Sequence, residues 1–236
     1  MKAVKYFLTA ALAVLATGAS AQFTNGGSSS SSNSGLVKDC TPYNRLYVSY
    51  NPQIFDLATL DDLNLTGFTA GYTHGISVSS NWPVFVELGA RLSYSFKNED
   101  ITGSNYFTDY TNKKIGQEKY RYMNVAIPVS MAYKLTMPNG KLSITPYLGL
   151  TFKYNIKGTI KNDYYEEYNI ENTETDLFDE DDMGDNKYDR FQVGWQIGAG
   201  LSYNAFYVGL HYGSDFGHIG TAVSTSNWGV SIGANF

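Results

Sequence analysis

The sequence is poor in cysteine. Of its 236 residues, only Cys40 carries a thiol. A single cysteine cannot form an intramolecular disulfide, and alone it does not make a structural metal site. Cys40 also lies well beyond the amino-terminal leader described below, so it does not occupy the position of a lipid-attached cysteine. We expect an inert or exposed thiol.

Residue types used in catalysis are scarce as well. The three histidines are His74, His211 and His218, and neither an HExxH nor a GxSxG motif occurs. Ser214 and Asp215 lie near His218 in sequence, but a nucleophile, a base and an orienting group must converge in space. We therefore predict that the chain is not an enzyme and uses no cofactor. A lipid-modifying membrane enzyme is kept as the second alternative.

Beyond its amino terminus, the sequence has no run of 18 apolar residues, so it contains no transmembrane helix there. The first 21 residues hold Lys2, Lys5, an apolar run over 7–16 and then Ala19-Ser20-Ala21. This pattern is typical of a secretory signal peptide. We predict a signal peptide at 1–21 and a flexible Gly/Ser-rich periplasmic tether at 22–39.

The charge balance is acidic. Seventeen basic side chains face 22 acidic ones, which gives a net charge of −5. Nucleic-acid binding depends on a basic surface that attracts phosphates, so this composition predicts no nucleic-acid partner.

What the sequence does have is strict alternation of apolar and polar residues. Several of the alternating segments exceed ten residues, which is longer than most strands of globular proteins but matches a tilted strand crossing a bilayer. Tyr and Phe, with 20 and 13 residues, suit the membrane–water interface. The eight segments with this period of two are 45–51, 66–77, 83–97, 119–136, 142–157, 190–203, 206–214 and 226–236.

The connections between these segments alternate between long and short. Outer-membrane barrels combine short turns on one side with long loops on the other, and an even strand number returns both termini to one side. We predict an all-β fold, a closed antiparallel transmembrane β-barrel of eight strands with up-and-down topology, over residues 40–236. A ten-stranded barrel and a soluble β-sandwich are the alternatives. Pro128 and Pro146 fall inside strands, where either could mark a bulge.

Three stretches resemble a known group: GWQIGAGLSYN (194–204), PYLGLTFKYN (146–155) and NWGVSIGANF (227–236). They look like the PorT-like and OmpX-like small outer-membrane β-barrel proteins. The resemblance implies the outer membrane, with the tether and carboxyl terminus in the periplasm and the long loops outside the cell. It also implies that Phe236 belongs to a signal read by the barrel-assembly machinery, and that lipid and lipopolysaccharide surround the barrel.

The inward faces of the predicted strands carry polar and charged side chains. An eight-stranded barrel is just wide enough to be filled by side chains. We predict a lumen network around Glu87, Arg91, Lys134, Lys153 and His211, with Glu87 and Arg91 bonded to neighbouring strands. A narrow channel is the alternative. The wider inward set also includes Arg45, Lys97, Asn124, Gln192 and Gln196.

The third long loop is strongly acidic. Between residues 157 and 190, twelve Asp or Glu face four Lys or Arg. An EF-hand reading fails, because position 5 from Asp179 is Met183 and position 12 is Arg190. No metal site is predicted, although a loose divalent site bridging to lipopolysaccharide is a weak alternative to a solvated acidic loop. Its candidate ligands are Asp179, Asp181, Asp182 and Asp185.

Aromatic residues are frequent in two of the long loops. Aromatic side chains on loops carried by a rigid scaffold are good recognition residues, although these could equally continue the strands. We predict a structural or interaction role, with the loops displayed at the cell surface or the barrel acting as a subunit of a larger outer-membrane complex. The candidate partner-binding residues are Tyr106, Tyr110, Tyr164, Tyr165, Tyr168 and Phe178.

Overall fold

A computed structural model describes residues 36–57, 62–103, 113–166, 170–220 and 223–236. The predicted signal peptide at 1–21 and the tether as far as residue 35 lie outside these residues. So do Tyr106, Tyr110 and Tyr168. In the part of the chain that is described, no helix is both long and apolar enough to cross a membrane.

The described chain is almost entirely β-structure. One helical turn, α1 (Glu180–Met183), and a short 3-10 turn (Gly184–Asn186) interrupt the strands. The strands are β1 (Tyr43–Tyr50), β2 (Gln53–Leu57), β3 (Leu63–Ser77), β4 (Val84–Gly103), β5 (Lys113–Tyr133), β6 (Leu135–Thr136), β7 (Leu142–Tyr164), β8 (Thr173–Asp176), β9 (Phe191–Tyr203), β10 (Phe206–Asp215) and β11 (Val223–Asn235).

Eight of these strands form a closed antiparallel ring. Each pairs with its neighbour in the order β1-β11-β10-β9-β7-β5-β4-β3, and β3 pairs back with β1. The short strand β2 continues the line of β1 after Asn51 and Pro52, and it pairs with the same neighbours, β3 and β11. The predicted eight-stranded, up-and-down barrel is confirmed.

The barrel is apolar outside and polar inside. Leu46 and Met131 on the outer face expose 59% and 64% of their surface, whereas Glu87 and Asn124 on the inner face expose 5% and 3%. A continuous apolar band around the outside would be unstable in water but is solvated by lipid. Lipid cannot pair backbone N–H and C=O groups, so the sheet has to close on itself, as it does. The soluble sandwich alternative is thereby excluded.

The barrel has two different ends. The turn end carries the short connections and both termini of the barrel, and the loop end carries the long connections. At the loop end, β4, β5 and β7 reach 20, 21 and 23 residues and extend past the predicted boundaries at 97, 119 and 157. These extensions are mostly polar, with one isoleucine in each, so the alternation that marks a membrane strand is absent there.

Neither proline shifts the strand register. Pro128 lies opposite Gly89, and the register is the same on both sides of it, from Leu88↔Val129 to Arg91↔Ala126. A Cβ at Gly89 would lie 2.7 Å from Cγ of Pro128, so the proline is accommodated by a glycine rather than by a bulge. Register shifts occur instead between Ile101 and Thr102 and between Met123 and Asn124.

Candidate functional site

The turn-end half of the lumen is filled by a charged and aromatic cluster, here called the lumen plug. Nη1 of Arg45 lies 3.3 Å from Oε1 of Glu87, to which the Tyr43 hydroxyl also donates. Nε of Arg45 donates to Oδ1 of Asn235 at 3.0 Å. As predicted, Glu87 does not pair with Arg91. The prediction that both bond to adjacent strands is wrong, because their partners Arg45 and Tyr47 lie on β1, which is separated from β4 by β3. The plug consists of Tyr43, Arg45, Tyr47, Glu87, Arg91, Tyr147 and Tyr207.

The plug tyrosines lie flat against glycines of neighbouring strands. A Cβ at Gly71 would lie 2.4 Å from Cζ of Tyr47, and one at Gly198 would lie 2.4 Å from Cζ of Tyr147. The sequence prediction omits these tyrosines because it considers only charged, amide and imidazole side chains. Their inward positions, each facing a glycine across the sheet, are the signal that identifies them.

Above the plug, hydroxyl and amide groups connect strand to strand. Nε2 of His211 lies 3.2 Å from Oδ1 of Asn51, whose Nδ2 donates to Oγ1 of Thr69 at 3.1 Å. Oγ1 of Thr69 lies 2.8 Å from Oγ of Ser93. These hydrogen bonds run along the inner wall from β10 to β4, so the polar side chains in the middle of the lumen are linked from strand to strand.

A second buried ion pair lies nearer the loop end. Nζ of Lys153 is 2.6 Å from Oδ2 of Asp215, and the Thr225 hydroxyl donates to the same oxygen. The Ser214 hydroxyl donates to backbone oxygens, those of Asp215 and Thr225, while His218 is exposed. Asp215, the carboxylate that a hydrolase triad would require, is therefore paired with Lys153 and not with His218.

An apolar cluster closes the loop end of the lumen. Phe178 belongs to it and is only 8% exposed, with its ring centre 6.2 Å from that of Tyr122. The placement of Phe178 on an exposed partner-binding surface is therefore wrong, because the loop folds inward and buries the ring. The cluster contains Phe55, Leu65, Tyr122, Phe178, Ile219 and Val223.

Lys134 lies at the turn end rather than deep in the lumen. Its Nζ is 2.5 Å from Oδ2 of Asp39, and Val37 N donates to Thr136 O at 2.8 Å. Residues 36–42, here called the strap, are thus fastened to β6. Partial burial raises the pKa of Asp39, but the hydrogen bond and charge of Lys134 and the hydrogen bonds from Thr41 together outweigh it. This pKa therefore lies below its ordinary value.

The acidic loop is organised by its own backbone. Oδ1 of Asp179 accepts from Asp181 N at 3.0 Å and caps α1, while Oδ2 of Asp182 accepts from Asp176 N at 2.6 Å. The side chain of Asp185 lies outside the described part. Among the described residues, no three acidic, histidine or cysteine side chains converge on a metal-sized site.

The two remaining loop tyrosines lie where β7 ends. Tyr164 is half-buried and its N–H donates to Oδ1 of Asn172 at 2.7 Å, whereas Tyr165 exposes 40% of its surface. Tyr165 is therefore the aromatic side chain among these candidates that is both described and exposed.

Three solved outer-membrane proteins are similar to this chain at low sequence identity. Ail, the attachment invasion locus protein of Yersinia pestis, is 14% identical, covers 83% of this chain and 99% of its own, and gives a TM-score of 0.45. Neisserial surface protein A is 11% identical, with 86% and 99% covered and a TM-score of 0.40. The amino-terminal barrel of Pseudomonas aeruginosa OprF is 14% identical, with 82% and 99% covered and a TM-score of 0.30.

A family comparison gives the assignment. No curated protein matches the sequence. The family described as outer membrane protein beta-barrel domain matches residues 61–219, which is more than half of the sequence. The outer-facing apolar band and the closed ring are the features that such a domain requires. The chain therefore belongs to the outer membrane protein beta-barrel domain family.

Proposed function

We propose that this outer-membrane protein presents a recognition surface outside the cell and does not conduct. The observation that carries the proposal is the sheet that projects from the loop end. Beyond the apolar band, β4 continues over 97–103, β5 starts at Lys113 and β7 runs to Tyr164. At about 3.3 Å per residue, seven residues extend the sheet by roughly 20 Å.

The projecting sheet offers unpaired backbone groups. Over residues 97–103, β4 pairs with β5 on one side, and the described residues provide no strand on its other side. The short strand β8 likewise pairs with β7 alone in the described chain. An unpaired strand edge can accept an extended segment of another protein through main-chain hydrogen bonds. A protein partner that adds a strand fits this edge.

Charged pairs cover the faces of the projecting sheet. Asp163 bridges Lys119 at 2.7 Å and Lys161 at 2.9 Å, and both hydrogen bonds lower the pKa of the Asp163 carboxyl. Lys114 lies 2.7 Å from Asp100. Such charges keep an edge soluble and limit pairing between copies. Tyr165 adds an exposed aromatic group at the same end.

The filled lumen argues against the narrow-channel alternative. The lumen plug and the apolar cluster at the loop end obstruct the path at two levels. A conducting pore needs a continuous water-filled route, as in barrels of many more strands. Planar-bilayer recording on the purified protein tests this point: we expect no conductance steps, and steady unitary currents would contradict the proposal.

Orientation and assembly complete the proposal. We place the loop end outside the cell and the strap in the periplasm, as the PorT-like and OmpX-like resemblance implies. On the same basis, Phe236 is proposed to be read by the barrel-assembly machinery. The supporting observation is that Phe236 is 71% exposed while its backbone pairs with Asn44 in the closing ladder. We also propose that the barrel associates with lipopolysaccharide or with other outer-membrane proteins.

Site-specific photo-crosslinking in whole cells tests the recognition role. A benzophenone amino acid is placed at Tyr165 on the loop end or, as the matched control, at Asn139 in an exposed turn of the other end. We expect discrete protein adducts from position 165, which mass spectrometry can identify. If position 165 gives only lipid adducts while position 139 gives proteins, the recognition surface is not at the loop end.

A further inference from the structure

The charges inside the barrel do not balance. The lumen holds the cations of Arg45, Arg91 and Lys153 and the carboxylates of Glu87 and Asp215. Arg45 pairs with Glu87, and Lys153 pairs with Asp215. Arg91 therefore remains as a half-buried guanidinium inside the lumen, with no carboxylate within ion-pair distance among the described residues.

The hydrogen bonding of Arg91 is incomplete as well. Its Nε donates to the Tyr47 hydroxyl at 2.7 Å, and the described chain provides no acceptor for its two terminal nitrogens. A guanidinium has five N–H donors and cannot be deprotonated in a protein, so it cannot escape the cost of burial by losing its charge. A half-buried guanidinium enclosed in the lumen favours a counter-charge beside it.

Arg91 lies between two small polar cavities. It lines one of about 20 Å³ towards the lumen plug and another of about 30 Å³ towards the loop end. The larger cavity is also lined by Gln53, Ser93 and Asn124. Gln53 is only 3% exposed, and its Nε2 donor has no partner in the described chain. The same cavity is lined by Asp215, whose charge is balanced by Lys153, and by Gln196, whose Oε1 also has no partner in the described chain. The unbalanced charge beside this space, which holds one or two particles of water size, is therefore that of Arg91.

We propose that a small monovalent anion, of which chloride is the natural candidate, binds in this cavity beside Arg91. The ion neutralises the guanidinium and accepts hydrogen bonds from it and from the neighbouring amide and hydroxyl groups. A cavity of this size suits a monatomic anion better than phosphate or sulfate, which carry four oxygens. The site depends on the fold and on Arg91, and it is independent of the surface role proposed above.

Chlorine-35 NMR in detergent provides the first test. The chloride resonance broadens when ions exchange with an asymmetric protein site, and bromide or nitrate should reverse the broadening. We expect Arg91→Gln to abolish the excess linewidth. Arg121→Gln is the matched control, because Arg121 lies near the projecting sheet and bonds to the backbone oxygens of Lys97 and Tyr120. The control should keep the wild-type linewidth.

Crystals of the unaltered chain grown in bromide provide a test that needs no variant. An anomalous peak at hydrogen-bonding distance from the Arg91 guanidinium establishes the site. Ordered water at that position, with no anomalous signal at high bromide concentration, overturns the proposal. Equal loss of linewidth in both glutamine variants also counts against it, because broadening would then come from exposed arginines. A heat-modifiable gel shift confirms that each variant is folded.

Discussion

The guanidinium carbon of Arg45 lies 3.9 Å from the ring centre of Tyr207 while its Nη1 lies 3.3 Å from Glu87. A charge pair and a cation–π contact thus converge on one buried side chain. Removing one partner of a buried pair costs more than the pair itself contributes, because the other charge is left uncompensated.

We predict that Glu87→Gln destabilises the folded barrel by about 3–5 kcal/mol. Urea unfolding in detergent, followed by the heat-modifiable gel shift, measures the change. Glu99→Gln is the control, since Glu99 forms an exposed pair with Lys97 and should cost less than about 1 kcal/mol. Equal effects of the two substitutions would mean that the plug pair has no special role in stability.

We predict that Gly71→Ala destabilises the barrel by about 1–3 kcal/mol, because the new methyl group meets the Tyr47 ring at 2.4 Å. Gly217→Ala serves as the control, since a methyl group on Gly217 would have no neighbouring atom within 4 Å and the backbone there is unstrained. The same unfolding assay compares them. If Tyr47→Leu fails to relieve the cost of Gly71→Ala, the clash is not its cause.

We predict that burial of Phe178 stabilises the loop end. Phe178→Ala should cost about 3–5 kcal/mol if the cluster unfolds with the barrel, whereas Tyr165→Ala should stay within about 0.5 kcal/mol. Limited proteolysis of residues 170–190 measures local opening. Rapid cleavage in the Phe178 variant with unchanged cleavage in the Tyr165 variant is the expected pattern, and the reverse order would contradict the burial of Phe178.

We predict that the strap loosens at low pH. The pKa of Asp39 is lowered in the folded state, so the contribution of its pair with Lys134 is complete above the ordinary carboxyl pKa of about 3.9 and is lost as the pH falls below it. Because Cys40 is the only cysteine, a spin label there reports strap mobility directly. Mobility at pH 2 should exceed mobility at pH 6.

In the strap experiment, Asp39→Asn should make the label mobile at both pH values. A wild-type signal that does not change with pH would show that the ion pair does not hold the strap. The pair is partly exposed, so its contribution to global stability should be less than about 1 kcal/mol.

The alternation of apolar and polar residues is sufficient to predict the barrel, because every outer position within the lipid has to be apolar. The sequence pattern assigns Leu148 and Tyr147 to opposite faces, and the structure places them so. Outside the lipid a strand need not alternate, so the sequence pattern predicts loops in the stretches where β4 and β7 in fact continue. The prediction for Phe178 fails for a related reason: an aromatic residue in an acidic segment gives no local sign that the loop folds inward.

The plug contacts cannot be derived from sequence because they connect strands that are not paired with each other, such as β1 and β4. Alternation places Arg45, Glu87 and Arg91 on inner faces, but it does not show that Glu87 pairs with Arg45 and leaves Arg91 without a carboxylate. That outcome depends on the relative heights of strands after closure.

The pairing of β1 with β11 also governs the order of folding. Arg45 and Asn235 are hydrogen-bonded across 190 residues of sequence, so the ring closes through its most distant contact. Such contacts carry the largest loop-closure entropy and form late. The first strand therefore keeps one edge unpaired until the last strand is in place, so we expect this seam to be the last part of the sheet to form.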